Sequence, residues 1–268
     1  MTPIRMLGVF AHPDDDVFTL GGVLAASGDR LESTLVFATS GGAGPISDPT
    51  LATRETLADV REGEQRAAMD ALGVAATTTS VFLRHPDYHL PDVDFARLAG
   101  QIESTMRSVS PHTVVTFGPD GVTSHHDHIR AGEAATAAFH AARERAEPGA
   151  FERLLYAALP RSAVDRFYES LDEAGSAAYG EEGSLFNLTG VPDEEVALRI
   201  DVEPTRDRKV AAIRAHETQR DEWERIPPSA RWIYLDTEAF VQAWPKPATA
   251  EPAADRFLPE AGDDTDRS

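Results

Sequence analysis

Short runs of apolar and β-branched residues at 4–10, 34–39, 79–83, 113–117 and 154–159 alternate with longer segments whose apolar positions recur at helical spacing. Runs of that length, bounded by glycine, proline or polar residues, suit buried strands, and a helix between successive strands makes neighbouring strands run parallel. The pattern restricts the chain to an α/β fold of βαβ units around a mainly parallel sheet.

Helices are expected over 20–28, opened by Gly21 and Gly22, over 54–72, stopped by Gly73, over 93–109, closed by Ser110 and Pro111, and over 129–145. A strand near 196–202, a helix from Thr205 to about Gln219 and a short helix from Glu238 to Trp244 follow. Together they predict a Rossmann-like open sheet with helices on both faces and a smaller C-terminal α/β portion, in a single domain of residues 1–245. The glycine-rich loop 40–45 should be mobile. Residues 160–195, rich in Glu, Gly and Ser, suit a surface insertion or lid at a substrate entrance. From Lys246 the composition turns to Pro, Ala and acids, which predicts a disordered acidic tail over 246–268.

Hydrophobic residues make up 41% of the 268 residues, enough for a full core. The formal charge of −20 repels nucleic acid and anionic membrane surfaces and favours a small neutral or cationic partner. With no cysteine, disulfides, thiolate catalysis and cysteine-ligated metals are excluded, so any metal must be held by His, Asp or Glu. The first residues lack a signal-peptide pattern and no apolar run reaches membrane-spanning length, so a soluble, cytoplasmic protein is expected. There the sequon Asn187-Leu188-Thr189 has no use. Self-association into a homo-oligomer stays open.

Two polar clusters follow separate strands. "AHPDDD" brings His12, Asp14, Asp15 and Asp16, and "SHHDH" brings His125, His126, Asp127 and His128. In an open parallel sheet, loops at the carboxyl ends of strands converge on the ligand, so the two clusters can meet across more than a hundred residues. They supply ample donors for a two-histidine, one-carboxylate metal site with a position left for water. Binding to zinc lowers the pKa of water from about 15.7 to roughly 7. A helix cap needs one acid at such a position rather than three, and three histidines in four residues are poorly explained by capping.

On these residues the chain resembles the LmbE-like, or PIG-L, de-N-acetylases, zinc-dependent hydrolases of N-acetylglucosamine-containing substrates. "AHPDDD" resembles the family's AHPDDE and "HHDH" its H-x-D-H. Supporting segments are Thr39–Gly44, "REGEQRAAMDALGV" from Arg61, and "KVAAIRAHETQ" from Lys209. The resemblance spans about residues 5–245. It implies that His12, Asp15 and His128 bind Zn²⁺, with Fe²⁺ as the other candidate, and that Asp14 is the general base. It implies that His125 stabilises the oxyanion or protonates the leaving amine, that Asp127 orients His125, and that Arg61 and Asp87 bind a small amino-sugar substrate. Spacing alone does not say which of Asp14 and Asp15 touches the metal. For Arg61 the other reading is an i, i+3 pair with Glu64 on one helix. His216 suits packing at least as well as binding. Asp16 stands where the family has Glu, Thr218 replaces a Ser, and His126 occupies a variable position as a spectator or a substrate contact.

Three rival chemistries are weaker. His12-Pro13-Asp14 with His128 matches an iron-oxygenase triad, but that triad sits on a jelly roll. A phosphoryl-transfer site lacks the G-x-x-x-x-G-K-[ST] loop, and a serine hydrolase lacks the G-x-S-x-G elbow. Within the same fold, an amidase for a bulkier amide of a sugar-thiol conjugate and a catalytically silent sugar-binding module remain as alternatives.

Overall fold

The apolar run that starts at Ile4 becomes a central strand, with Met6, Leu7, Val9 and Phe10 fully buried, as a parallel strand covered on both faces requires. The computed structural model describes residues 3–176, 187–247 and 254–258. Among them, β1 (Ile4–Phe10), β2 (Leu31–Thr39), β3 (Thr78–His85), β4 (Thr113–Phe117), β5 (Arg153–Ala158), β6 (Leu198–Asp201) and β7 (Thr237–Trp244) form one sheet. Its order is β3-β2-β1-β4-β5-β7-β6, parallel from β3 to β5, with β7 antiparallel to both β5 and β6.

The helices are α1 (Asp15–Ser27), α2 (Leu57–Leu72), α3 (Phe95–Val109), α4 (His126–Arg143), α5 (Arg161–Glu173), α6 (Arg206–Ala215), α7 (Arg220–Arg225) and α8 (Trp232–Leu235). Right-handed crossovers put α1 and α2 on one face and α3 and α4 on the other. Accordingly α6 packs on α1 and α2, and α3 packs on α4. The direction of winding reverses between β1 and β4. Their carboxyl ends carry the two polar clusters, so both open onto the topological switch point.

Several elements differ from the sequence reading. Gly21 and Gly22 lie in the middle of α1 rather than at its start. A Cβ on Gly22 would lie 2.4 Å from that of Val202, so this glycine serves a close approach. Here the N–H groups of Gly22 and Val23 donate to Glu238 Oε1 and Oε2 at 2.6 and 2.8 Å. The short helix expected at Glu238 to Trp244 is instead β7, whose Ala239 and Phe240 are buried between two partner strands. Pairing on both sides outweighs the helical spacing of those few residues.

The glycine-rich loop after β2 is tied down. Arg54 donates to the carbonyls of Gly42 and Gly44, Arg61 to that of Gly41, and Asp87 accepts from the N–H of Ala43. Gly41 has φ +67° and the Arg61 guanidinium occupies the space of its missing Cβ, so only glycine fits. Residues 254–258, inside the expected tail, lie against the sheet. Ala254 bridges Leu198, and Phe257 and Leu258 are buried. Of the expected lid, 160–176 contains α5, while 177–186 lie outside the described residues. Among the described residues no helix is long and apolar enough to cross a membrane.

Candidate active site

β1 delivers His12 through a tight corner whose strain falls on Asp14, at φ 108° and ψ −30°. Asp15 then opens α1, and its Oδ2 accepts the N–H of His12 at 2.7 Å. Across the switch point, His125 caps α4 by accepting the N–H of Asp127 on Nδ1 at 3.1 Å, which leaves the ring proton on Nε2. That cap starts α4 at His126, three residues earlier than expected, and places His128 on its first turn.

The loops meet. His128 Nε2 lies 3.3 Å from His12 Nδ1 and 3.2 Å from Asp15 Oδ1, and His12 Nδ1 lies 3.6 Å from Asp15 Oδ2. One donor atom from each of the three lies within 4.8 Å of the others, close enough for the trio to hold a divalent metal such as zinc on arms of about 2.0–2.1 Å after small side-chain adjustments. The outer nitrogens are fixed as ligands require: His128 Nδ1 donates to the carbonyl of Gly121 at 2.9 Å, and His12 Nε2 faces Asp87 Oδ1 at 3.1 Å and Asp127 Oδ2 at 3.4 Å. His12, His125 and Asp127 also cluster. Asp127 is fully buried behind the site, with Oδ2 and Oδ1 accepting from the N–H groups of Tyr88 and Leu90, so the first trio is the one that faces the cavity.

Around the trio the charges are held in set states. Burial opposes a charge on His12, but the carboxylates of Asp127, Asp15 and Asp87 hold its pKa well above the usual imidazole value. Burial raises Asp14 to about 7 against the pull of Arg61, and the neighbouring Asp15 adds to the rise. For His125, burial and then the charges of His12 and His128 lower the pKa to about 3, so the neutral ring donates from Nε2. Asp16 points away, fully buried, with Oδ2 accepting from Gln65 at 2.9 Å, and burial raises it to about 7.

The remaining candidates are placed as follows. Arg61 does not pair with Glu64, which instead accepts from the N–H and hydroxyl of Thr218. It reaches Asp14 Oδ2 at 3.1 Å and the carbonyls of Pro13 and Gly41 at 2.6 and 3.0 Å. Asp87 lines the cavity but is engaged by His12 and Ala43. The carboxylate of Asp127 braces His12, while its contact with His125 runs from its own N–H. His126 donates from Nε2 to the carbonyl of Tyr88 at 2.9 Å. Tyr88 was not singled out in the sequence. It is 51% exposed at φ +67°, its ring edge-on to His125 and His126. Its one sequence signal is its place directly after Asp87, in a loop at the carboxyl end of β3.

His12, Asp14, Asp15, Arg61, Asp87, Tyr88, His125 and His128 open on one cavity of about 790 Å³. Comparison with known proteins places this arrangement. The profile of the PIG-L family, described as GlcNAc-PI de-N-acetylase, matches residues 7–139. A 1D-myo-inositol 2-acetamido-2-deoxy-alpha-D-glucopyranoside deacetylase of Geodermatophilus obscurus is 34% identical over 252 residues, covering 82% of this chain and 84% of that protein. The chain belongs to the PIG-L family of de-N-acetylases. The PIG-L match takes in both polar loops and ends before β5, so the C-terminal wall of the cavity lies outside it. Among solved structures, the N,N'-diacetylchitobiose deacetylase of Pyrococcus horikoshii superposes with a TM-score of 0.59 at 22% identity, covering 90% of this chain and 84% of that one. GalB, the 4-carboxy-2-hydroxymuconate hydratase of Pseudomonas putida, superposes with a TM-score of 0.62 at 18% identity, covering 92% and 98%. At such identities the likeness is one of fold, and a deacetylase and a hydratase share it.

Proposed function

We propose that this PIG-L protein is a metal-dependent hydrolase that removes the N-acetyl group of an amino-sugar conjugate, releasing acetate and a free amine. The observation that carries it is the convergence of His12 Nδ1, the Asp15 carboxylate and His128 Nε2, with one donor atom from each lying within 4.8 Å of the others, beside an acid and a neutral imidazole in the same cavity. Zinc held there supplies a Lewis acid for the acetamide carbonyl and makes water acidic near neutral pH, and the same donors suit ferrous iron.

The chain's own residues handle the protons. Asp14 is the general base: its side chain is 18% exposed, against 9% for Asp15 and 0% for Asp127. Arg61 fixes its Oδ2, and the free carboxyl edge takes a proton from the attacking water as the new C–O bond forms. His125 donates from Nε2 to the oxyanion that develops on the carbonyl, a contact worth roughly 10²–10³ in rate for a donor of this type. Asp14 then returns its proton to the sugar nitrogen as the C–N bond breaks. Asp127 acts through His12 and the Tyr88–Leu90 backbone, as a positioning residue.

The relative from Geodermatophilus obscurus is named for a GlcNAc-inositol substrate, which supports an N-acetylglucosamine unit here. The test is metal content by elemental mass spectrometry, beside His128→Ala, with acetate release over a panel of N-acetylglucosaminides. About one zinc or iron per chain, lost in the variant, and acetate from the panel are expected. Failure to bind metal after reconstitution, or a metal-loaded protein that releases no acetate, overturns the reading.

A further inference from the structure

The loop between β4 and α4 holds an unusual backbone. Gly121, Val122 and Ser124 have φ of +64°, +63° and +60°, and a β-branched valine in that region is strained. Strain of this kind persists only where the surroundings impose it. The loop bears directly on the site, because the Gly121 carbonyl accepts from His128 Nδ1 at 2.9 Å and Thr123 Oγ1 lies 3.3 Å from the same nitrogen. Val122 and Thr123 also line the cavity.

Part of the restraint is internal. The N–H groups of Gly121, Thr123 and Ser124 donate to the carbonyls of Gly118, Gly121 and Asp120 at 3.0, 2.7 and 3.1 Å. A second set of bonds comes from Asn187 and Thr189, the residues that the sequence presents as a sequon. Thr189 donates its N–H to the Val122 carbonyl at 2.7 Å, and its hydroxyl lies 2.8 Å from that carbonyl and 2.7 Å from Asp120 Oδ2. Asn187 Nδ2 donates to the Thr123 carbonyl at 3.3 Å. This segment is itself anchored. The N–H of Leu188 donates to the Tyr168 hydroxyl on α5 at 2.9 Å, and Val191 exchanges backbone bonds with Leu159 and Arg161 at 2.9 and 2.8 Å.

The carbonyls of Gly121 and Val122 are consecutive, and since peptide units are planar only the φ and ψ of Val122 separate them. A grip on the second carbonyl therefore fixes the direction of the first, which sets the ring of His128. The loop lies within the span of the family profile, residues 7–139, and Thr189 lies beyond it.

We propose that Thr189, assisted by Asn187, is a positioning residue for the metal site: it holds the strained loop so that the Gly121 carbonyl keeps His128 Nε2 turned towards His12 and Asp15. The proposal rests on the metal-dependent reading for the ion. Residues 187–191 are then a brace behind His128 rather than part of a substrate entrance.

The experiment measures the zinc Kd of full-length protein by competition with a chelator, at a temperature where circular dichroism shows each variant folded. Partners of ligating histidines are typically worth 10–100-fold in metal affinity, so Thr189→Val is expected to weaken zinc binding by roughly tenfold. Thr189→Ser, which keeps the hydroxyl, stays near the native Kd, and Asn187→Ala, which loses only the longer bond, gives a smaller rise. A role in folding alone lowers the Tm and leaves the Kd unmoved. An unchanged Kd in folded Thr189→Val, or a Thr189→Ser as weak as Thr189→Val, overturns the brace. Should Thr189→Val fail to fold, Asn187→Ala decides in the same way. If the native protein takes up no zinc, the hydrolase reading fails by itself. The brace is then decided by the proton resonance of His128 Nδ1–H, identified by its absence in His128→Ala: its loss in Thr189→Val or Asn187→Ala supports the brace, and its persistence in both overturns it.

Discussion

Arg61 donates from Nη2 to both the carbonyl of Pro13 and Oδ2 of Asp14, so one guanidinium sets the backbone and the side chain of the proposed base. The Asp14 backbone, at φ 108°, is a conformation few residues tolerate, and strain of this kind clusters at functional sites.

Replacing Asp14 by Asn keeps the shape and removes the base. Metal content stays at the native level while kcat falls by roughly 10²–10⁴-fold, the usual worth of a general base. Elemental mass spectrometry and acetate release on one preparation check this, and near-native turnover would refute the assignment.

Asp15→Ala and His128→Ala each remove one donor of the trio. Both variants are expected to lose the metal and, with it, the stabilisation that the bound ion gives the fold, so adding zinc raises the Tm of the native protein and not of the variants. A variant that retained stoichiometric metal would move the site elsewhere.

His126→Ala deletes the bond to the Tyr88 carbonyl and frees the loop at the cavity mouth. A net hydrogen-bond worth of about 0.5–1.5 kcal/mol predicts a KM rise of roughly 2- to 12-fold, with metal content unchanged. Steady-state kinetics on a responsive glycoside measure it.

Burial, then the charge of Arg61, lowers the pKa of His216 to about 3. The unfolded chain takes up this proton near pH 6.5 and the folded one does not, so stability present above pH 6.5 is lost as the pH falls towards 3. At pH 5 the loss is about 2 kcal/mol, and His216→Gln removes it. Denaturant unfolding at pH 7.5 and pH 5 should show a smaller drop for the variant. Equal drops would contradict the argument.

Lys209 is fully buried and donates to Glu238 and to the carbonyl of Phe18. Lys209→Met strands the carboxylate and should destabilise the fold by about 3–5 kcal/mol, with part recovered in Lys209→Met/Glu238→Gln. Urea midpoints of the single and double variants decide it.

The parallel half of the sheet was legible because each buried strand is a continuous apolar run and each crossover helix keeps its period. The meeting of the two polar loops was legible because they hold residues that solvated capping does not require. What escaped depended on partners distant in sequence. β7 reads as helix until β5 and β6 flank it, Gly22 reads as a helix start until Val202 lies against it, and Arg61 has its Glu64 neighbour at hand yet turns to Asp14. Tyr88 has only its place after Asp87 to mark it, since its position follows from the carboxylate of Asp127 and the ring of His126.

The position of β7 sets an order on biosynthesis. A ribosome releases the loops after β1 and β4 long before Thr237 emerges, yet among the described residues β6 joins the sheet through β7, and β5 keeps an open edge until then. Glu238, on that last strand, closes the middle of the helix that begins with Asp15. A nascent chain halted before it therefore carries Asp15 and Asp16 on a helix not yet fastened, with a sheet edge exposed to neighbouring chains.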